Sequence, residues 1–167
     1  MNLKFSPITE VDFPQLTEVM TRAFDDDAQR HFGREKGGPP GYDNGEFFRK
    51  WLLGYEWTRG YKAVLDDRIV GGIIVWIFDT GKNILGTIFV DPGFQDRGIG
   101  GRIWDFVEAT YPETRTWQLE TPSVAVKNHH FYEKCGFSKV AVKPAEGDLP
   151  CESWVYRKNV VPGDAAL

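Results

Sequence analysis

Apolar residues recur along this chain with two different periods, and the switches between them mark its elements. Leu16, Val19, Met20, Ala23 and Phe24 fall at i, i+3, i+4, i+7 and i+8, which places them on one face of a helix. Thr9 stands ahead of that face as an N-cap, with Asp12 three residues on in the capping-box position. Leu3–Ile8, ended by Pro7 and Thr9, reads as a short strand before it. The stretch from Asp25 to Glu46 is dense in Gly, Pro, Asp and Asn, and most of it predicts irregular loop. Phe47, Phe48, Trp51, Leu52 and Tyr55 then predict a second helix over Glu46–Trp57.

From Tyr61 strands take over. Tyr61–Leu65 and Ile69–Phe78 flank Asp66-Asp67-Arg68, a hairpin turn, and "DTGKN" turns the chain again into Ile84–Val90. Loops this short make the three strands antiparallel. Ile99, Ile103, Phe106 and Val107 return to helical spacing, and Arg115–Glu120 is a strand. Val124–Cys135 is a helix with Gly136 as its C′ residue, and Phe137–Val142 and Glu152–Arg157 finish as strands. The strand–helix–strand unit from Ile84 to Glu120 requires a parallel, right-handed crossover. The expected fold class is therefore α/β, with a central mixed, mostly antiparallel sheet flanked by helices. No repeat and no Gly/Ser linker divides the chain, so one domain is expected over residues 1–158, with a loose tail at 159–167.

Composition narrows the picture only a little. Hydrophobic residues make up 41% and charged ones 26% of 167 residues, ordinary for a soluble globular protein. The twelve Phe, six Trp and six Tyr supply large area to bury. No apolar run is long enough to span a bilayer, and Met1 to Phe5 leads into no apolar signal-peptide region, so no membrane association and a cytoplasmic location are expected. A net charge of −4 without a basic stripe argues against nucleic acid. Cys135 and Cys151 lie far apart and lack His neighbours at ligand spacing. No metal site is expected, and both thiols read as free and buried.

The chemistry concentrates in "VDPGFQDRGIGGRIWDF", Val90 to Phe106, where a strand becomes a helix. Pro92 and Gly93 end the strand, and Gly98, Gly100 and Gly101 then leave bare backbone at the helix start. The first helical N–H groups, from about Gly98 to Arg102, have no partner within the helix and point along the positive end of its dipole, so an anion is their natural guest. Gln95 adds an amide donor, and Arg97 and Arg102 add charge. A P-loop is excluded, since no Gly-Lys-Ser/Thr is present. Gly98-Ile99-Gly100-Gly101 also lacks the third glycine of the dinucleotide fingerprint.

The strand "ILGTIFV", the turn "DPGF", the segment Gln95-Asp96-Arg97-Gly98-Ile99-Gly100 and its helix closely resemble the acetyl-CoA signature of the GNAT superfamily of N-acetyltransferases. "NHHFYEKCGF", Asn128 to Phe137, resembles the second half of the same site, where the family places a helix carrying Phe-Tyr before a Gly-Phe stop. The resemblance implies a sheet splayed between the strands 84–90 and 115–120, with Gly86 permitting the bend. It implies that backbone groups of Ile88, Phe89 and Val90 pair with the pantetheine amides, and that the N–H of Val90 or Phe89 faces the oxyanion. It implies further that Gln95, Asp96, Arg97, Gly98, Ile99, Gly100 and Gly101 hold the pyrophosphate, and that Asn128, Phe131 and Tyr132 complete the acetyl-CoA site. Phe131 and Phe137 also read as core. One departure is visible: Ala125 and Asn128 hold positions where the family often has Asn and Ala. Asn128 reads equally as a helix-start residue and as a cofactor contact.

Acetyl transfer to an amine needs a neutral nitrogen, a donor for the oxyanion and a proton for the departing thiolate. The resemblance assigns the last task to Tyr132, whose phenol is neutral at working pH. The strand 84–90 carries no carboxylate, so Glu120 is the expected general base by position, with a water chain as the alternative. His31, His129 and His130 titrate in the useful range, but His129 and His130 read as surface or packing residues. The expected activity is acetyl-CoA-dependent N-acetylation of a primary amine, on a small molecule, a protein N-terminus or Lys. The alternative is a non-catalytic acyl-CoA-binding module. Acceptor choice is expected from Phe24 to Trp57, where Asp25-Asp26-Asp27 reads either as bait for an amine or as a solvated turn. A homodimer is expected through the last strand, around Trp154 and Tyr156.

Overall fold

The structure is a computed structural model that describes residues 1–147 and 149–160. Thr9 opens the first helical segment as expected: its N–H donates to Asp12 Oδ2 at 2.8 Å, and a 3₁₀ turn, Glu10–Asp12, leads into α1 (Phe13–Phe32). The helix runs on well past Phe24. Ala28 adds a buried position to its face, and the stop comes only at Gly33, left-handed at φ 65°, whose N–H returns to the Gln29 carbonyl at 3.2 Å. Residues 25–32, read as loop from composition, are therefore helix. The second helix is also shorter than its aromatic spacing predicts: α2 (Glu46–Phe48) passes into a π-helical turn, Arg49–Leu53, and β2 already begins at Thr58.

Seven strands form one sheet in the order β1-β2-β3-β4-β5-β7-β6. β1 (Leu3–Pro7), β2 (Thr58–Leu65), β3 (Arg68–Trp76) and β4 (Lys82–Val90) are successively antiparallel. β5 (Thr116–Pro122) returns parallel to β4 after α3 (Ile99–Thr110). α4 (Val126–Lys134), β6 (Ser138–Lys143) and β7 (Ser153–Asn159) complete the chain. Gly136 sits left-handed at φ 97° after α4, as its C′ role requires.

Alternation along β3 and β4 sends side chains to two cores. Ile73, Val75 and Leu85 pack with Ile99, Ile103, Trp104, Tyr132 and Trp117 on the α3/α4 face. Ile74 and Phe89 pack with Leu16, Met20, Phe47 and Phe48 on the α1/α2 face. β3 is buried on both faces, which its run of Ile, Val and Gly permits.

Three expectations change here. β7 lies between β5 and β6, so both of its edges are already paired and it has none left for a partner chain. Asn159 belongs to β7, and the Val160 N–H donates to the Arg115 carbonyl at 2.8 Å, so these two residues are held by the sheet; the rest of the expected tail, residues 161–167, lies outside the described residues. Cys135 and Cys151 are free but half-buried. Among the described residues no helix is long and apolar enough to cross a membrane, and no His, Cys, Asp and Glu cluster is arranged to hold a metal ion.

Candidate active site

β4 and β5 pair only over Lys82–Ile84 with Thr116–Gln118. Beyond Ile84 they part, and the cause lies on the other side of β4. The β3–β4 register jumps from Ile74↔Thr87 to Val75↔Leu85, leaving Gly86 as the extra residue of a β-bulge that bends the strand. A Cβ at Gly86 would stand 3.2 Å from the Ile74 carbonyl oxygen, so the bulge accepts a side chain there poorly. The divergence opens a cleft of about 800 Å³ along the free edge of β4.

That edge carries main-chain groups that no strand pairs with. The Asp91 N–H donates to the Val70 carbonyl on β3 at 2.7 Å. Antiparallel alternation then turns the N–H and C=O of Phe89 and Thr87 to β3, and those of Val90 and Ile88 to the cleft. Of the three strand residues expected to meet the pantetheine, Ile88 and Val90 thus present backbone groups. Phe89 is buried against Phe48 and faces β3 with its main chain.

The turn after β4 is held from below. Asp91 is buried, its Oδ2 accepts from Arg22 at 2.7 Å and its Oδ1 from the Gly93 N–H at 3.0 Å. Burial pulls its carboxyl up, but the Arg22 hydrogen bond, the Gly93 N–H and the charges of Arg22 and Arg68 outweigh it and hold it below the usual carboxylate range. Gln95 is a strut: its Nε2 donates to the Val90 carbonyl at 3.2 Å, and its Oε1 accepts from Lys127 Nζ on α4. Asp96 and Gly98 take left-handed backbone, φ 63° and 75°, and deliver the chain to the start of α3. The Arg102 N–H is bonded to the Gly98 carbonyl at 3.2 Å, so the N–H groups of Ile99, Gly100 and Gly101 have no helical acceptor.

Gly98, Ile99, Gly100 and Gly101 all line the cleft, as do Gln95 and Asp96. Their roles differ more than the sequence implies. A Cβ at Gly100 would stand 3.0 Å from the Phe131 ring, so this glycine admits α4. One at Gly101 would meet nothing within 4 Å. Arg97 stands apart from the lining residues, with its guanidinium 5.2 Å above the Phe94 ring.

α4 forms the facing wall with Asn128, His130, Phe131, Tyr132 and Cys135. Tyr132 is buried, and burial, with the charge of Asp27 and the neighbouring Cys135 adding to it, raises its phenol far above its ordinary value. It is a neutral O–H at every working pH. Burial also pushes the Cys135 thiol up to about 11, which leaves it unreactive. His129 is buried and structural: its Nε2 lies 2.9 Å from the Pro122 carbonyl, and its ring stacks on Trp154 at 4.2 Å. Glu120 lines the cleft from β5, half exposed, with its Oε1 paired to Lys143 at 2.9 Å.

The profile of the acetyltransferase (GNAT) domain matches residues 56–139, half of the chain, from the end of the π turn to the first residues of β6. The chain belongs to the GNAT acetyltransferase family. The uncharacterized protein YrkN of Bacillus subtilis is 33% identical over 132 residues, 77% of this chain and 69% of that protein. The ribosomal-protein-S18-alanine N-acetyltransferase of Escherichia coli superposes with a TM-score of 0.73 at 15% identity, over 95% of this chain and 94% of that one. The PaiA N-acetyltransferase of Thermoplasma acidophilum, solved in complex with coenzyme A, superposes with 0.72 at 16% identity, over 96% and 100%. At such identities the two structures share the fold.

Within this GNAT fold the cleft also takes in Lys127 and Thr121, which sequence did not single out, and of the Asp25-Asp26-Asp27 run only Asp27 lines it. Asp27 comes from the end of α1, where composition predicted a loop. Its carboxyl is raised to about 6 by burial, against the opposing charges of Lys127 and Arg30 and with the help of Asp26. Thr121 Oγ1 is buried and has no hydrogen-bond partner among the described residues. Helical spacing already aligned Asp27 with Ala23 and Phe24, and that was the available signal.

Proposed function

We propose that this GNAT acetyltransferase is an acetyl-CoA-dependent N-acetyltransferase in which a primary amine attacks the thioester directly. The observation that carries the reading is the continuity of one cleft. The free edge of β4 at Ile88 and Val90 leads to the bare N–H groups at the start of α3 and passes the Tyr132 hydroxyl. An extended pantetheine arm fits such an edge as an added strand. A pyrophosphate fits the helix start, where three N–H groups and the dipole favour an anion. The relatives solved with coenzyme A or acetyl-CoA bound support the same use.

Acetyl-CoA supplies an acyl group on a leaving thiolate. The Val90 N–H, turned into the cleft, faces the oxyanion that develops when the amine adds. The Tyr132 O–H donates to the thiolate as the carbon–sulfur bond breaks. Gln95 keeps both in place, since it ties the end of β4 to α4. Asn128, on the first turn of α4, completes the wall beside the cofactor.

The test is turnover of acetyl-CoA with a panel of primary amines, read as thiol release, beside calorimetric binding of coenzyme A. Release that depends on the amine supports the reading. Binding without release from any amine would leave a non-catalytic acyl-CoA module, and binding of ATP or NAD in place of coenzyme A would overturn it.

A further inference from the structure

The Asp25-Asp26-Asp27 run sits in the last turns of α1, and the helix sends its three carboxylates different ways. Asp25 Oδ1 accepts from the Tyr42 hydroxyl at 2.6 Å and from the Gly37 N–H at 3.2 Å, which pins the loop to the helix. Asp26 pairs with Arg30 one turn on, at 3.3 Å. Asp27 makes no hydrogen bond or ion pair among the described residues and opens into the cleft instead. Ala23 and Phe24 precede it by four and three residues, so the three share one stripe of α1, and Phe47 and Pro39 continue that wall. On the β5 wall, the buried Thr121 Oγ1 also lacks a partner.

We propose that Asp27 is the general base of this acetyl transfer, and that the acceptor is a primary amine borne on an apolar group. The inference rests on the N-acetyltransferase reading above and names its missing base. An unpaired carboxylate in a half-buried, apolar setting attracts an ammonium strongly and gives up its own solvation at little further cost. The aliphatic and aromatic walls of Ala23, Phe24, Pro39 and Phe47 fit the carbon next to that nitrogen and provide no partner for a second cation. Glu120 is a poorer base, because Lys143 already holds it at the rim.

The protons balance. The acceptor arrives as an ammonium, and Asp27 takes one proton from it and later releases it to solvent. The freed nitrogen lone pair forms the carbon–nitrogen bond and the carbonyl becomes an oxyanion. As the intermediate collapses, the carbon–sulfur bond breaks and Tyr132 protonates the thiolate. The second proton lost by the nitrogen restores the Tyr132 phenol. The charged groups that act on Asp27 are Asp26 and Arg30 on α1 and Lys127 on α4, with Tyr132 close by; His130 and Glu120 line the same cleft. Burial, against the charges of Lys127 and Arg30 and with Asp26, raises the carboxyl to about 6, low enough to be ionised at neutral pH and high enough to accept a proton.

The test compares wild type with Asp27→Asn, an isosteric change, at saturating amine and across pH. Wild type should show an acidic limb in kcat at about pH 6 or below, since the bound ammonium pulls the carboxyl down. Asp27→Asn should lose about 10²–10⁴-fold in turnover. Its residual rate should rise with pH in step with the free amine, while its acetyl-CoA affinity stays at the wild-type value. Hexylamine and phenethylamine should be better acceptors than spermidine. If wild type turns over but Asp27→Asn keeps both rate and limb, or Glu120→Gln loses the limb in its place, Asp27 is not the base. A preference for spermidine overturns the acceptor class. A wild type that binds acetyl-CoA and acetylates no amine overturns the underlying reading, and Asp27's role with it.

Discussion

Replacing Asp27 by Asn should make the ligand-free protein more stable at neutral pH. The carboxyl titrates at about 6 in the folded chain against 3.8 when exposed. A rise of roughly two units corresponds to about 3 kcal/mol, at about 1.4 kcal/mol per unit. That figure is a ceiling, because the cleft lets solvent reach the group. The sign follows from proton counting. Between about pH 4 and pH 6 the folded state holds a proton that the unfolded chain has released, so wild-type stability falls as pH rises through that window. Below it Asp27 is neutral in both states and the two proteins should match to within the Asn-for-Asp difference. Above it the full cost of the buried charge appears in wild type alone. At about 2–4 °C per kcal/mol for a domain of this size, Asp27→Asn should melt several degrees higher at pH 7.5. Thermal melts of both proteins from pH 4 to 7.5 provide the difference curve, in which the contributions of other groups cancel. A flat difference curve, or a variant that melts lower at pH 7.5, would refute the claim that this carboxylate is unpaired and desolvated.

Tyr132→Phe keeps the ring and its packing but loses the O–H; turnover should fall by about 10²–10⁴-fold while acetyl-CoA affinity, read by calorimetry, changes little. Gly101→Ala should raise the melting temperature, since the methyl meets no protein atom and Ala is favoured over Gly by up to about 1 kcal/mol, yet weaken coenzyme A binding by crowding the helix start. Gly100→Val should weaken binding too, but by displacing Phe131, and its melting temperature should drop, which separates the two glycines. Asp91→Ala should destabilise the chain by about 1–3 kcal/mol and lower coenzyme A affinity, because Arg22 and the Gly93 N–H lose their acceptor. The Asp91 carboxyl is held low in the fold, so its contribution is complete above about pH 4 and fades as pH falls through the lower folded value. Acid unfolding followed by circular dichroism should therefore be shallower in Asp91→Ala.

Much of this chain is legible where the determining physics is local. The period of Leu16 to Phe24 marked α1, Thr9 and Asp12 marked its start, and Gly136 marked the stop of α4. The run from Gln95 to Gly101 announced a glycine-rich helix start with bare N–H groups, a feature set by local backbone rather than by what surrounds it. The family resemblance added the splay of the sheet and Tyr132. The tertiary structure alone determined what depends on elements remote in sequence. The length of α1 was hidden because Asp is a poor helix former by itself, and it is the donors that reach Asp25 and Asp26 and the burial of Ala28 that carry the helix to Phe32. Gly100 looked like a cradle residue and is also the seat of Phe131, a contact between two helices. Phe89 belongs to the same strand as Val90, yet the pairing with β3 decides which of them turns its N–H to the cleft. β7 gained a neighbour on each side from sheet order. Asp27 is one of three identical letters in the sequence. Its neighbours found partners on α1 and the following loop, and it was left facing the cleft, where loss of solvation, against the charge of Lys127 brought in on α4, sets its proton affinity.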